Sequence, residues 1–314
     1  MNQATEEQTA LVTGGAGFIG SHIVDALIER GLRVIVLDDL SSGRRENVNP
    51  AADLRVLDIR SSEAAALIEE ERPNVMFHFA AQMDVRRSTE DPAFDASINV
   101  LGTLNLLDAA VKAGVQQFIF ASTGGAIYGE QDVHPAPEGH PERPVSPYGV
   151  SKLAGERYMY YFHVQYDLDV TCLRFANVYG ERQNPHGEAG VVAIFLKLLN
   201  EGKQPVINGD GLQTRDYIHV SDVVRANMAA MGRPGYNILN VGTGIESTVV
   251  DLYEGIRTAA GSEIAATHGP GMPGEQRRSS VDASKLREEL GVPEPIPLRE
   301  GLQRTADWFR THNT

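Results

Sequence analysis

Leu11-Val12-Thr13-Gly14-Gly15-Ala16-Gly17-Phe18-Ile19-Gly20 is the stretch that decides the fold. An apolar run ends, the chain turns through glycines, and a helical pattern opens. Gly14 permits the tight turn, Gly17 lets backbone come close to a pyrophosphate, and Gly20 lets helix pack closely on strand. The phosphates then sit at the helix N-terminus, where unsatisfied N–H groups and the helix dipole favour anions. Spaced glycines alone are a weak signal, since a glycine turn can bind nothing. Here a strand precedes, an amphipathic pattern follows over Phe18 to Arg30, and Asp38 closes the next apolar run at the spacing of a ribose-binding acid.

Asp38 also bears on which dinucleotide is bound. Its carboxylate can accept from both ribose hydroxyls but would repel a 2′-phosphate, so NAD is expected rather than NADP. Asp39, Ser41 and Gly43 in the following loop join it as expected cofactor contacts. Arg44 and Arg45 weigh the other way, although charged residues in a loop are commonly just solvated.

Working outward, short apolar runs alternate with helical patterns. Ala10 to Thr13, Arg33 to Leu37, Val75 to Phe79, Gln117 to Ala121 and Val170 to Phe175 read as strands. Phe18 to Arg30, Ser62 to Glu70, Phe94 to Ala113 and Tyr148 to Gln165 read as helices. Strands apolar on both faces and separated by helices indicate a doubly wound α/β fold with a parallel sheet of Rossmann type. After Gly180 the loops become rich in Gly and Pro, which suggests a smaller α/β substrate domain. Tyr236 to Val241 reads as one more strand of the first sheet. The expected division is therefore 1–175 with a return segment at 221–244, and 176–220 with 245–314, with the site between the two parts.

Composition narrows the function classes. The 314 residues are 42% hydrophobic and 22% charged, ordinary for a folded domain, and carry a formal charge of −14. That field disfavours nucleic acid and anionic membranes, so neither is expected as a partner. An anionic small substrate would have to meet local arginines. The single Cys172 lies in an apolar run and reads as a buried thiol in a reducing, cytoplasmic setting. Met1 to Thr9 lacks the apolar core of a secretory signal, no stretch approaches the ~20 apolar residues of a membrane span, and no metal is expected.

The chemistry is expected at Ser146-Pro147-Tyr148-Gly149-Val150-Ser151-Lys152. Tyr148 and Lys152 are four apart on one helical face. A tyrosine serving as base at neutral pH needs its pKa lowered by ~3 units, about 4 kcal/mol, which Lys152 and a positive nicotinamide ring can supply. A surface Tyr–Lys pair would look the same in isolation. The strand Gln117 to Ala121 changes the balance, because it runs into Ser122 and Thr123 and delivers two hydroxyls to the carboxyl edge of the sheet, where ligands bind in such folds. Helix capping is the alternative duty for both hydroxyls.

With these residues in order, the chain resembles the extended short-chain dehydrogenase/reductases, and among them the bacterial UDP-galactose 4-epimerases, from Leu11 to Phe309. The resemblance implies cofactor contacts at Gly14, Gly17, Phe18, Ile19, Gly20, Asp58, Ile59, Phe79, Ala80, Ala81, Gln82 and Asn99, with Tyr148 and Lys152 beside the nicotinamide. It implies substrate contacts at Gln82, Asn177 (within Arg174 to Gly180), Gly190, Val191, Gln213, Arg215 as the diphosphate-gripping arginine, and Glu275 at the uridine ribose. It implies NAD, a UDP-sugar substrate, reversible oxidation at C4, and a homodimer formed through the helices 94–113 and 148–165.

Two departures from the family pattern stand out. Met272 occupies a position where relatives often have an arginine, so Arg277 or Arg278 would have to reach in, or affinity for the nucleotide sugar would be weaker. The hydroxyl segment Ser122 to Tyr128 is one residue longer than usual, which leaves Ser122 and Thr123 as rival catalytic hydroxyls, with Thr123 favoured. A nucleotide-sugar 4,6-dehydratase would need a general acid and base after the hydroxyl strand, where this chain has Gly124 and Gly125. UDP-glucuronate epimerisation and a non-catalytic NAD-binding protein are the remaining alternatives. The small Ser279, four beyond Glu275, is expected beside the sugar's C2 substituent and would leave room for N-acetylhexosamines; the alternative is a polar surface residue leading into the next helix.

Overall fold

The computed structural model describes residues 8–186, 190–271 and 276–312. The chain forms two compact units. The first comprises residues up to Ser122, with Ser146–Leu173 and Asn227–Ile238; the second comprises Thr123–Val145, Arg174–Ala226 and Leu239 onward.

The first unit is built on a seven-stranded sheet of β1 (Thr9–Thr13), β2 (Arg33–Asp38), β3 (Asp53–Val56), β4 (Val75–His78), β5 (Gln117–Thr123), β6 (Asp169–Phe175) and β7 (Tyr236–Val241). Its order is β7-β6-β5-β4-β1-β2-β3. The β1–β2, β1–β4, β2–β3 and β4–β5 pairs are all parallel. This is the doubly wound order, reversing between β1 and β4. Its helices are α1 (Phe18–Glu29), α2 (Ser62–Glu71), α3 (Val85–Glu90), α4 (Pro92–Ala96), α5 (Thr103–Ala113) and α6 (Pro147–Tyr166). Leu11, Ile35, Met76, Leu107, Phe118 and Phe162 belong to a buried core on one side of the sheet, and Cys172 is buried among them as a small hydrophobe.

Two details depart from the sequence-based expectation. The edge strand β3 has no counterpart among the expected strands, because its Asp-Leu-Arg-Val pattern is half polar and partly exposed, as an edge strand tolerates. The single helix expected over 94–113 is instead α4, a π-helical stretch at Ser97–Gly102, and α5. Periodicity cannot see a widened turn. The π stretch carries Asn99, 2% exposed, whose side chain spans to the backbone of Gln82: Gln82 N–H donates to Oδ1 at 2.9 Å, and Nδ2 donates to the Gln82 carbonyl at 2.8 Å. Such widened turns recur at functional sites.

In the second unit, Thr214–His219 is the centre of a small sheet, flanked by Glu246–Thr248, Arg278–Ser279 and Asn177–Tyr179. A two-stranded parallel sheet pairs Val206–Asn208 with Thr267–Gly269. Helices Val191–Asn200, Val249–Ala260 and Leu298–Thr311 bury Phe195, Leu196, Leu252, Tyr253, Ile256 and Phe309 in a core of their own. Asp216, 1% exposed, ties three segments of this unit by accepting from Thr243 N and Oγ1, Gly244 N and Val281 N. Segment 123–145 belongs to this unit, whereas its place in the sequence puts it with the first. Tyr128 and Glu138 bond Asn240, and Ala136 bridges to Val281, so the loop's hydrogen bonds are long-range and invisible to local pattern.

Candidate active site

The glycine turn is held by backbone. Gly14 N–H donates to Leu37 O at 2.9 Å, and Gly17 N–H to Gly14 O at 3.0 Å. Gly14 has φ +70°, and a Cβ there would stand 2.6 Å from Ala80 N. A Cβ on Gly20 would stand 2.2 Å from Gly14 O. Neither position can carry a side chain. Gly17 is the N-cap of α1 with no side chain capping it, so the N–H groups of the first turn, Phe18 and Ile19 among them, are left for an anion.

Asp38 ends β2, 6% exposed. One carboxylate oxygen accepts from Leu40 N–H and the other from Ala16 N–H, each at 2.9 Å. Burial raises the Asp38 pKa and these two N–H groups lower it in part. The carboxylate is thus fixed in direction, with a further lone pair on each oxygen for a ribose. A Cβ on Gly43 would come 2.8 Å from its Oδ1, so glycine keeps that face open. Asp39 is occupied locally by Ser41, which donates from N at 2.9 Å and from Oγ at 2.6 Å. Asp58 is paired with Arg60, which lowers its pKa. Ile59 is buried, and its side chain leaves no room for a Cβ on Gly102. Gln82 donates from Nε2 to Asp84 O and to Asp95.

A chain of hydrogen bonds that sequence reading misses runs through His78, 1% exposed, under the turn. Burial lowers its pKa to about 3, so the imidazole is neutral. Thr103 Oγ1 donates to Asn99 O, so it must accept from His78 Nε2–H at 2.9 Å. His78 Nδ1 therefore accepts from Thr13 Oγ1 at 2.7 Å, and Thr13 Oγ1 accepts from Ala80 N–H at 3.2 Å. Phe79 N–H donates to Thr13 O at 3.0 Å. The Phe79-Ala80-Ala81 segment is thereby stitched to the glycine turn. A lone histidine in an apolar strand gives no signal for this.

Tyr148 and Lys152 lie in the first two turns of α6, which Ser146 caps by accepting from Gly149 N–H at 3.1 Å. Lys152 is 4% exposed. Its Nζ donates to Ala121 O at 2.9 Å and lies 4.9 Å from the Phe120 ring centroid and 5.9 Å from that of Tyr148. Burial lowers its pKa to about 8, against the pull of Asp95 and Glu156. At pH 7 the ammonium is still the main form. Burial, and then Asp95, push the Tyr148 phenol above its ordinary range. The phenol cannot act as a base unaided, and the Lys152 ammonium, 5.9 Å from its ring centroid, is a cation placed to favour its ionised form.

The two hydroxyls of the β5 end differ. Ser122 Oγ donates to buried Glu156 at 2.6 Å. Thr123 Oγ1 caps the short helix Gly124–Ile127 by accepting from Ala126 N–H at 3.2 Å, which leaves its own proton unused by the cap. A Cβ built on Gly125 would lie 3.5 Å from Asn177 Oδ1 and 3.8 Å from Thr123 Oγ1, so these three residues are neighbours within the second unit. The fully buried Arg174 is structural: it pairs with Glu142 at 2.6 Å and donates to Tyr128 Oη at 3.1 Å.

Among the other expected contacts, Arg215 lies in the central strand of the small sheet and donates to Thr214 O at 2.8 Å. Gln213 donates to Asn208 O at 3.3 Å, and Gly190 and Val191 begin a helix. Arg278 is clamped on Glu246, and Arg277 on Asp210 at 2.9 Å. Ser279 is neither a surface residue nor a helix start: it is 4% exposed and paired with Arg215 in the sheet. Glu275 and Met272 lie outside the described residues.

A side-chain-free cradle at a helix N-terminus, a fixed carboxylate at the end of the second strand and a half-buried tyrosine with a buried lysine beside the end of the fifth fit a dinucleotide and define an NAD-dependent enzyme of the short-chain dehydrogenase/reductase type. The model of the NAD dependent epimerase/dehydratase family matches residues 10–242, and the chain belongs to that family. It is 45% identical to a UDP-glucose 4-epimerase of Mycolicibacterium smegmatis over 306 residues, 96% of this chain and 98% of that protein. The crystal structure of the UDP-glucose 4-epimerase of Thermotoga maritima with UDP-glucose superposes with TM-score 0.95 at 46% identity, covering 97% of this chain and 99% of that one. That of the Thermus thermophilus enzyme with NAD gives 0.92 at 43%, covering 96% and 99%.

Protein stripped of nucleotide should bind NAD at least about tenfold more tightly than NADP, because the fixed Asp38 carboxylate repels a 2′-phosphate. Calorimetric titration with both cofactors measures this. Equal affinities would mean that Arg44 or Arg45 cancels the effect of the carboxylate.

Proposed function

We propose that the protein interconverts UDP-hexoses by inverting the C4 hydroxyl, with UDP-galactose and UDP-glucose as the first pair. One observation separates this from dehydration, the other chemistry in the family's description. A Cβ on Gly124 would stand 2.6 Å from Val281 Cγ1, so the residue just after Thr123 is held to glycine and cannot supply a proton-transferring carboxyl group.

Bound NAD supplies a hydride acceptor and donor for C4, held by the glycine turn and Asp38. Tyr148 takes the proton of the 4-hydroxyl, directly or through Thr123, and Lys152 favours the phenolate. We assign the sugar-facing hydroxyl to Thr123, since Ser122 is engaged by Glu156. Asn177 is its neighbour on the substrate side. Arg215 is the arginine we assign to the diphosphate, where a planar guanidinium can bind two oxygens at once. Arg277 and Arg278 are each held by a carboxylate.

Ser279 supports a wider substrate range. It is small, and its pairing with Arg215 sets it next to the proposed diphosphate arginine. We assign it to the C2 substituent, with room for an acetamido group. Homodimerisation is proposed through α6 and the π stretch, whose outer faces expose Leu101, Val150, Tyr158, Tyr161 and Val164. The sole, buried thiol fits a cytoplasmic setting. Among the described residues no helix is long and apolar enough to cross a membrane.

Tyr148→Phe should lower turnover of UDP-galactose by at least ~100-fold while NAD remains bound, because the phenol supplies chemistry and not affinity. A variant that kept more than a few per cent of the rate would remove Tyr148 from the role of base.

The wild-type protein should also interconvert UDP-N-acetylglucosamine and UDP-N-acetylgalactosamine, and Ser279→Tyr should abolish that conversion while sparing the unsubstituted pair. Chromatography of the products checks both. A wild type active on UDP-galactose alone would contradict the assignment of Ser279.

A further inference from the structure

Lys152 does not stand alone in its burial. Asp95 and Glu156 are both 0% exposed, and each is tied to the lysine's surroundings. Asp95, from α4, accepts from Ser151 Oγ at 2.6 Å, the residue next to Lys152, and from Gln82 and Asn99 at 3.1 and 3.0 Å. Glu156 is one turn beyond Lys152 on α6 and accepts from Ser122 Oγ at 2.6 Å, at the end of the strand whose Ala121 carbonyl receives the lysine. The other titratable groups facing the ammonium are Tyr148, on the same helix, and His78 from β4, which is neutral. Two buried carboxylates are therefore bonded to the segments that carry and receive one buried lysine. Replacing them by leucines would be the ordinary way to fill a core, since ionised carboxylates are costly to bury without a partner.

We propose that Asp95 and Glu156 are positioning residues of the base: their carboxylates balance the charge of Lys152, and their bonds to Ser151 and Ser122 hold the helix and strand segments that direct it. The inference rests on Tyr148 and Lys152 being the catalytic pair. Asp95 has a mixed effect, because the same carboxylate that favours the ammonium also disfavours the Tyr148 phenolate. Glu156 bears on the lysine and is not among the groups that shift the tyrosine, so it gives the cleaner test.

The chain has five lysines, Lys112, Lys152, Lys197, Lys203 and Lys285, so the NAD-loaded protein labelled with 13C at lysine Cε gives a spectrum of five signals. The Lys152 signal is the one lost in Lys152→Arg. Glu156→Gln keeps the shape and removes the charge; its Lys152 midpoint should fall by at least about half a pH unit. Glu156→Asp keeps the charge and loses the reach to Ser122; its midpoint should stay with the wild type. In turnover, Glu156→Gln should move the alkaline limb of the kcat profile to lower pH by the same amount, with KM near pH 6.5 unchanged within about twofold. An unmoved midpoint in Glu156→Gln, or an equal movement in Glu156→Asp, would overturn the proposal. If Glu156→Gln fails to fold, Asp95→Asn must lower the Lys152 midpoint, and an unchanged value there overturns it equally. The titration needs no substrate, so a protein whose lysine responds as described but which converts no UDP-sugar would refute the epimerase reading and leave this one standing.

Discussion

The constraint on which the rest depends is the absence of a side chain at Gly14. Its backbone lies so near Phe79 and Ala80 that a Cβ would stand 2.6 Å from the Ala80 nitrogen, and its carbonyl oxygen leaves only 2.2 Å for a Cβ on Gly20. That approach brings the ends of β1 and β4 together at the place where strand order reverses, and seats the opening of α1 above them. The Ala80–Thr13–His78–Thr103–Asn99 chain can then close beneath the turn, because each donor finds one acceptor. A charged His78 would break it, and burial keeps the ring neutral.

From that anchor the chemistry is arranged by burial against charge. Asp38 is desolvated but held by two N–H groups. Lys152 is desolvated and accompanied by two carboxylates. Tyr148 is pushed away from ionisation by the same burial. Asp38 is fixed by the backbone N–H groups of Ala16 and Leu40, and Lys152 by the Ala121 carbonyl. Perturbed groups gathered at the carboxyl edge of a parallel sheet are what catalysis in this fold requires.

Much of this is legible in the sequence, for a physical reason. The glycine turn, Asp38 and the Tyr148–Lys152 spacing are local, so their geometry follows from a strand, a turn and a helix. The partners that tune them are distant in sequence or, like Glu156, one turn away with nothing in the local pattern to mark their burial. Asp95 and Glu156 look like ordinary helix-surface acids, His78 looks like a stray polar residue in a strand, and the π stretch around Asn99 reads as plain helix. Ser279 reads as loop because a two-residue strand has no periodicity, yet it pairs with Arg215. The segment 123–145 shows the same limit: its hydrogen bonds to Asn240 and Ser280 cross more than a hundred residues.

Inversion at C4 removes one hydride and the 4-hydroxyl proton and returns both, the hydride to the opposite face of the sugar, with no elimination of water. Incubation of the purified protein with UDP-galactose carrying deuterium at C4 tests it most directly. UDP-glucose should retain the deuterium at C4, with none lost to solvent and no change at C6. A 4-keto-6-deoxy product, or no conversion by protein that holds NAD, would contradict it.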